Sequence, residues 1–366
     1  MNAPAAGGPK RPASLQKNPR LPQWLRIDRD GTVWITSGKV EIGQGILTAL
    51  AQIAAEELDI DPGRIRMLAA ATDRSPDEGV TSGSLSIQDS GSALRFACAQ
   101  ARALLFERAE RQLGVPIAQL RIEDGTIYAA NDSTRRTTYW DLAGDRLLDR
   151  EIEGTPAAKP AREYRVVGSS AARLDLPDKI AGRPCFIQDM VLPGMRFGRV
   201  VRAPRGLAQL AALDRSALES MPGVVLVHEG SFAGVLAERE EAAVKAMRAV
   251  RDHSRWEPAA ALPGDIHAWL KAHVAEQHLI SEKTDAAASD RALTTLEASY
   301  TKPYVAHPSI GPSCAIAQWS GDTVTVWSHS QGIFNLRRDL ALALGMAEDD
   351  VVVKHVEGAG CYGHNG

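Results

Sequence analysis

Four turns of this chain gather residue types that can do chemistry. The first is Glu41-Ile42-Gly43-Gln44-Gly45, between a strand-like run and a helical one. Two glycines let the main chain approach a ligand closely, and a helix start offers N–H groups with a partial positive charge. Gln44 adds an amide that both donates and accepts, so the set suits a phosphate or an electron-rich ring. A lone G-x-G also serves as a plain strand-to-helix connection. The second turn is Thr81-Ser82-Gly83-Ser84, continued by Ser86, Asp89, Ser90 and Gly91. Hydroxyls and bare backbone bind polar ligand edges without net charge, and equally make an ordinary serine-rich loop. The third is Ser328-His329-Ser330-Gln331-Gly332, and the fourth runs through Gly358-Ala359-Gly360-Cys361-Tyr362-Gly363. Each follows a strand-like run, and if those two strands are parallel neighbours the two turns share one sheet edge.

Other chemistries find little support. No histidine pair has the H-E-x-x-H spacing of zinc proteases, and no G-x-S-x-G marks a serine hydrolase. His307, His329, His355 and His364 read as pocket lining or satisfied polar groups, and Glu56-Glu57 and Asp349-Asp350 as solvated acidic faces. Cys98, Cys185, Cys314 and Cys361 are scattered, with no C-x-x-C pair. A structural zinc or an iron–sulfur cluster held by this chain is therefore not expected, and no residue is assigned as a metal ligand. Any redox metal must come with a non-protein cofactor or a partner chain.

The elements that position these turns follow from periodicity. Thr32–Thr36 reads as a strand. Ile46, Leu47, Leu50, Ile53, Ala54 and Leu58 fall at helical spacing, ended by Asp61-Pro62-Gly63. Arg64–Ala71 reads as a strand and Ala93–Leu113 as a long helix closed by Gly114. Phe197–Arg202, Val224–His228 and Phe232–Ala237 read as strands, with a helix over Glu238–Val250. Thr295–Tyr300, Ala315–Trp319, Thr323–Trp327 and Val351–Val356 complete the strands, and Ile333–Leu344 is a helix capped by Gly345. Interleaved helices and strands predict an α+β, mixed α/β chain.

The 366 residues allow two to three domains. The expected division is a disordered leader over 1–22, a first domain segment over 23–150, a linker over 151–165, a second domain over 166–258, a spacer over 259–290 and a last segment over 291–366. Forty-two basic against 45 acidic residues leave a formal net charge of −3, which argues against a nucleic-acid partner. No run of eighteen apolar residues provides a transmembrane segment.

Taken together, the motifs resemble one family. Gly38 to Thr48, followed by Ala51 to Leu58, resembles the molybdopterin-binding large subunit of the xanthine oxidase family. Tyr300 to Ala317 is similar to that family's Y-x-x-P-x-x-H-x-x-x-x-P segment, and Ser328-His329-Ser330-Gln331 to its glutamine turn. Gly360-Cys361-Tyr362-Gly363 stands where the family has G-G-F-G. Val167-Gly168, Arg173, Asp175 and Lys179-Ile180-Ala181-Gly182 resemble its a/b hammerhead domain. The G-Q-G motif precedes the hammerhead here, an order that resembles the nicotinate dehydrogenase and isoquinoline 1-oxidoreductase large subunits.

The resemblance implies a molybdopterin-binding piece over 23–150, a hammerhead over 166–258, and a second molybdopterin-binding segment, truncated, over 291–366. It implies a molybdenum hydroxylase that adds water-derived oxygen to an N-heteroaromatic carbon or an aldehyde. The cofactor would be Mo-molybdopterin in its cytosine dinucleotide form. Electrons would leave through [2Fe-2S] clusters on a small partner subunit, with a cytochrome c as acceptor. Gln331 would contact the apical Mo oxo group. Gly43, Gln44 and Gly45 would hold the pterin, Ser84 and Ser86 the dinucleotide tail, and Gly360, Cys361, Tyr362 and Gly363 would line the metal. The location implied is cytoplasmic, or peripheral to the inner membrane. Two departures stand out. Ile310-Gly311-Pro312 replaces the family's M-E-P, which argues against a purine. The family's catalytic glutamate, in a Gly-x-Gly-Glu loop, is absent from these residues, so the 366-residue chain alone is expected to be inactive. A second expectation, from the stop inside a glycine-dense segment, is a truncated, non-catalytic remnant of such a subunit.

Overall fold

The computed structural model describes residues 11–144, 146–154, 156–204, 208–261, 263–283, 294 and 296–363. The chain opens with helix α1 (Ala13–Lys17), strand β1 (Leu25–Ile27) and strand β2 (Val33–Thr36), then helix α2 (Ile46–Leu58) and strand β3 (Ile65–Leu68). A π-helical turn over Ser86–Gly91 feeds the long helix α3 (Ser92–Leu113). Strands β4 (Leu120–Glu123), β5 (Thr126–Ala129) and β6 (Asp132–Thr138), with short helices α4 (Tyr139–Leu142) and α5 (Leu176–Ile180), follow. Strands β7 (Phe197–Val200), β8 (Gln209–Ala212), β9 (Val225–Glu229), β10 (Phe232–Ala237) and β11 (Arg255–Glu257) come next, with helix α6 (Glu240–His253) before β11 and α7 (Ile266–Ala272) after it. Strands β12 (Ala315–Ser320), β13 (Thr323–Ser328) and β14 (Val351–His355), with helix α8 (Ile333–Leu344) between the last two, complete the order. The mixed α/β class is as the interleaved periodicities predict. Among the described residues no helix is long and apolar enough to cross a membrane.

Two compact units result: residues 1–190 with 307–366, and residues 191–306. Among the described residues the larger unit holds three three-stranded sheets, ordered β1-β2-β3, β4-β5-β6 and β12-β13-β14. Helix α2 packs on the first and α3 packs on α2, and Leu50, Ala54, Leu58, Leu94, Ala97 and Leu105 share one essentially dry core. Burying each large aliphatic side chain contributes about 1.5–3 kcal/mol. β13 and β14 pair in parallel, Val324 against Val351 through Ser328 against His355, so the turns after them do share an edge. Val324, Val326, Val351 and Val353 bury one face of that sheet against Ile333, Phe334 and Ala341 of α8, together with Val40 and Ala70. Residues 70–72 run antiparallel to β14, with Thr72 N–H donating to Val353 O (2.9 Å) and His355 N–H to Ala70 O (2.8 Å). In the smaller unit, β7-β10-β9 form an antiparallel sheet on which α6 lies, packed through Ala233, Val235, Ala246 and Val250.

Several expectations are corrected. The part of the 1–22 leader that is described is not disordered: α1 buries Leu15, and Leu21 joins the same core, because both are apolar and pack into the cluster that α3 helps to form. Residues 1–10 lie outside the described residues. The expected 151–165 linker is partly packed, since Ile152 and Lys159 are buried. Glu56 and Glu57 are also buried, not solvated. Glu56 accepts from Lys159 Nζ (2.8 Å) and from the main-chain N–H groups of Arg165, Val166 and Val167 at 2.6–2.9 Å. Burial alone would raise this carboxyl, but those donors outweigh it and bring it down to about 2. The 259–290 spacer contains α7, whose first turn Asp265 caps by accepting from Ala268 N–H. No strand forms over Leu296–Tyr300, and Thr295 lies outside the described residues.

Candidate functional site

The Gly-Gln-Gly turn is held by its own acid. Gly45 stands at the start of α2 with φ +80°, and Gly43 has φ +100°, conformations that suit glycine. The buried Glu41 carboxylate accepts from Gly43 N–H (2.9 Å) and Gly45 N–H (2.8 Å), and more distantly from Leu47 N–H. The N–H groups that the sequence offers to a phosphate are therefore already partnered. Gln44 folds back too, donating to Val40 O (2.9 Å) and accepting from Ile42 N–H (2.7 Å).

Hydrogen bonds tie this turn to the others. Val40 N–H donates to Thr81 Oγ1 (3.0 Å), and Thr81 N–H to Gln331 O (2.9 Å). Gln331 Nε2 returns a bond to Thr81 O (2.6 Å), and the Cys361 thiol donates to Gln331 Oε1. Gly363 N–H donates to Cys361 Sγ (3.1 Å), and Tyr362 O is met by His307 Nδ1 at 2.8 Å. Residues distant in sequence thus become one continuous polar patch. Ser84 (φ +59°) and Tyr362 (φ +54°) hold left-handed conformations that a side chain makes costly, a strain often concentrated at working sites. Ser84 is exposed and Ser86 half-buried at the head of the π-helical turn. Gly360 is half-buried beside Cys361, and a Cβ on it would lie 3.0 Å from the Tyr362 ring. His364 lies outside the described residues.

Below the turns, buried charges set their shape. Glu78 accepts from Ser37 Oγ (2.8 Å), Gly38 N–H (2.7 Å) and Ser90 Oγ (3.0 Å), and its second oxygen has no partner among the described residues. Lys39 Nζ donates to the Glu78 and Val80 carbonyls, so the backbone of 78–80 is fixed by side chains of 37–39. His329 is buried and accepts from Cys314 N–H at Nε2 (3.1 Å), while its Nδ1 has no partner among the described residues; burial lowers its pKa. Gly358 packs on that ring so closely that a Cβ there would lie 2.6 Å from its Cγ. Gly358 is thus required for lack of space and not for its φ.

A five-residue ion network joins the residues resembling a hammerhead start to two of the turns. Arg173 forks onto Asp175 (2.9 and 2.6 Å), donates to Gly43 O (2.8 Å) and lies 3.7 Å from the Glu41 carboxylate. Lys179 Nζ lies 2.6 Å from both Asp175 and Glu357. Arg173 holds the Asp175 carboxyl far below the usual range, whereas burial raises Glu357 against the pull of Lys179. Glu41, Asp175 and Glu357 also have metal-ligand geometry. Two cations already neutralise most of that charge, so the cluster reads as structural.

The structure therefore joins Gly43, Gln44, Gly45, Gln331 and Cys361 through one hydrogen-bonded network, with Ser84 and Ser86 further along the Thr81 turn. Sequence reasoning assigns no role to Glu41, Thr81, Glu78 or the Arg173–Lys179 pairings. The signal available is the coincidence of buried-type motif positions with charged residues, but which carboxylate meets which cation depends on tertiary register.

Comparison with known proteins gives a consistent set. Residues 7–168 and residues 266–365 each match a family model described as a molybdopterin cofactor-binding domain. The chain is 37% identical to a subunit of the nicotinate dehydrogenase of Pseudomonas putida, over 95% of this chain and 30% of that protein. It is 29% identical to the beta subunit of isoquinoline 1-oxidoreductase of Brevundimonas diminuta, over 68% of this chain and 37% of that protein. The crystal structure of quinoline 2-oxidoreductase from Pseudomonas putida 86 superposes with a TM-score of 0.43 at 17% identity, covering 53% of this chain and 30% of that one. The chain thus spans about a third of the length of these relatives.

Proposed function

The chain belongs to the xanthine oxidase family of molybdopterin-binding large subunits, an oxidoreductase family, and from that premise we propose that it is part of a molybdenum hydroxylase acting on a nicotinate-like N-heteroaromatic ring or an aldehyde. The observation that carries this reading is the hydrogen-bonded chain from Val40 through Thr81 and Gln331 to Cys361, which unites the motif turns in one patch.

The residues present fit the cofactor's pterin end. The donors are amides, hydroxyls and main chain, which match the polar edges of a neutral heterocycle better than they match a highly charged ligand. Gly43 and Gly79 have left-handed φ and open space where a Cβ would stand, so a flat ligand can approach their main chain. The phosphate end fits less well at the Gly-Gln-Gly turn, where Glu41 already holds both glycine N–H groups. We therefore assign the dinucleotide tail, in the cytosine form, to the hydroxyls of Ser84 and Ser86. The chemistry such a cofactor would supply is two-electron oxidation with oxygen from water. Gln331 uses one amide hydrogen on Thr81 O, and its second would be the one to donate to an oxo group of the cofactor. Cys361, through Gln331 Oε1, fixes which way that amide faces. The main chain of Gly360, Tyr362 and Gly363 would border the metal, with Tyr362 O anchored by His307.

Four thiols with no disulfide among the described residues suit a reducing cytoplasm. Their wide spacing supports electron transfer through [2Fe-2S] clusters on a separate small subunit, and onward to a cytochrome c or similar acceptor. The test is metal and pterin analysis of the full-length subunit purified with that partner, alongside assays with nicotinate, isoquinoline and aromatic aldehydes and a dye acceptor. Molybdenum and pterin in equal amounts, with turnover of one of these substrates, are expected. Pure, active enzyme free of molybdenum would overturn the reading.

A further inference from the structure

Besides Thr81, a second residue links the Gly-Gln-Gly turn to the Gln331 turn: His355. It is the last residue of β14, and its parallel neighbour Ser328 opens the Gln331 turn. Its own N–H is held by Ala70 O (2.8 Å) and the next N–H, of Val356, by Ser328 O (3.0 Å), so the main chain beneath the ring is fixed on both sides. The imidazole is 5% exposed. Its Nε2 lies 2.9 Å from Glu41 O and its Nδ1 lies 3.3 Å from Ser330 O.

Both neighbours are carbonyls, and neither can donate. A neutral imidazole has a single N–H, so it can satisfy one of them, and the shorter contact marks Nε2 as the protonated nitrogen. Burial lowers the ring's pKa while the two carbonyls pull the other way, and the charged or titratable groups facing it are Glu41 and His329. Fixing the Glu41 carbonyl has a direct consequence, because the same residue's carboxylate holds Gly43 and Gly45 N–H. On the other side, Ser330 immediately precedes Gln331.

We infer that His355 is a positioning residue: as the Nε2–H tautomer it tethers the Gly43–Gly45 turn to the body of β14 beside the Gln331 turn, and so sets the gap across which the ligand is held. The nature of that ligand rests on the reading above; the tether does not.

The test uses the full-length subunit with its partner, in wild-type form and as H355A, H355N and H355Q. A glutamine amide reaches where Nε2 stands, whereas an asparagine amide reaches only to Nδ1. Hydrogen–deuterium exchange is followed in peptides covering 38–47, 328–336 and, as a control, 92–113. Exchange in 38–47 is expected to rise about tenfold in H355A and H355N and to return to within about twofold of wild type in H355Q, with the control unchanged. Bound molybdenum and pterin should follow the same order. If H355A exchanges like wild type in 38–47, or H355Q exchanges as fast as H355A, the tether is refuted. If H355A also loosens the control peptide, the comparison of H355Q with H355N decides. A wild-type preparation without molybdenum would remove the cofactor reading, while the exchange result would still support or refute the tether.

Discussion

Glu56 offers the sharpest quantitative test of how this fold is held. Its carboxylate gathers residues 165–167 and Lys159 onto α2, and so fixes the segment that leads toward Arg173. Its pKa falls from an ordinary 4.5 to about 2. That difference corresponds to roughly 3 kcal/mol in favour of the folded state, and to about 2 kcal/mol once solvent screening is allowed for. The folded pKa is the lower one, so this stability is fully present above the unfolded value of 4.5 and is lost as pH falls toward about 2. Glu56→Gln keeps the size, removes the charge, and turns an amide N–H₂ toward groups that can only donate. Urea unfolding at neutral pH should show the variant about 2 kcal/mol less stable than the wild type. Near pH 3 more than half of that gap should have closed. A gap that is unchanged between neutral pH and about pH 3, or that is absent at neutral pH, would refute the reasoning that these four donors stabilise the charged form.

Three further outcomes follow from other sites. Leu15→Ala should cost about 2–4 kcal/mol and open residues 11–22 to limited proteolysis, because Leu15 is fully buried in the main core. Gly358→Ala should lower stability by about 1–3 kcal/mol through the clash with His329, seen as a reduced urea midpoint with an unchanged slope. Lys179→Met leaves Asp175 paired with Arg173 but deprives Glu357 of the cation it meets, so about 1–3 kcal/mol is lost at neutral pH. Glu357 already has a raised pKa from burial. A raised folded value favours folding below the unfolded pKa, so the Lys179→Met defect should grow with rising pH and shrink in mild acid, checked by thermal unfolding across that range.

The elements that carry a strong period are readable from the sequence. α2, α3 and α8 bury apolar residues at helical spacing, and β13 and β14 flank α8 with branched residues, so these elements follow from residue type; the shared edge of the turns is conditional on parallel pairing of β13 and β14, which the structure supplies. The strands β4–β6 give no comparable signal, because Asp132–Thr138 is polar and β-branched without a clear alternation. Residues 11–17 mislead because the Pro-rich composition of residues 1–22 masks the anchoring Leu15, with Leu21 just beyond. At the site, the motif glycines and Gln331 are legible as types. The partners are not: Glu41 capping its own turn, Cys361 on Gln331 and His355 between two carbonyls all depend on distant segments arriving in register.

The antiparallel run of residues 70–72 against β14 carries a consequence for biosynthesis. On a ribosome adding roughly 5–20 residues per second, Thr81 emerges about 15–60 s before Cys361. For most of that delay Val40 and Ala70 lack the valines of β13 and β14 that later cover them. The nascent chain therefore carries an uncovered apolar seam that invites chaperone attention, and such long-range closure is intrinsically slow. On the proposed reading, cofactor insertion at these turns would accordingly be a late event, after translation has delivered the strand that completes their frame.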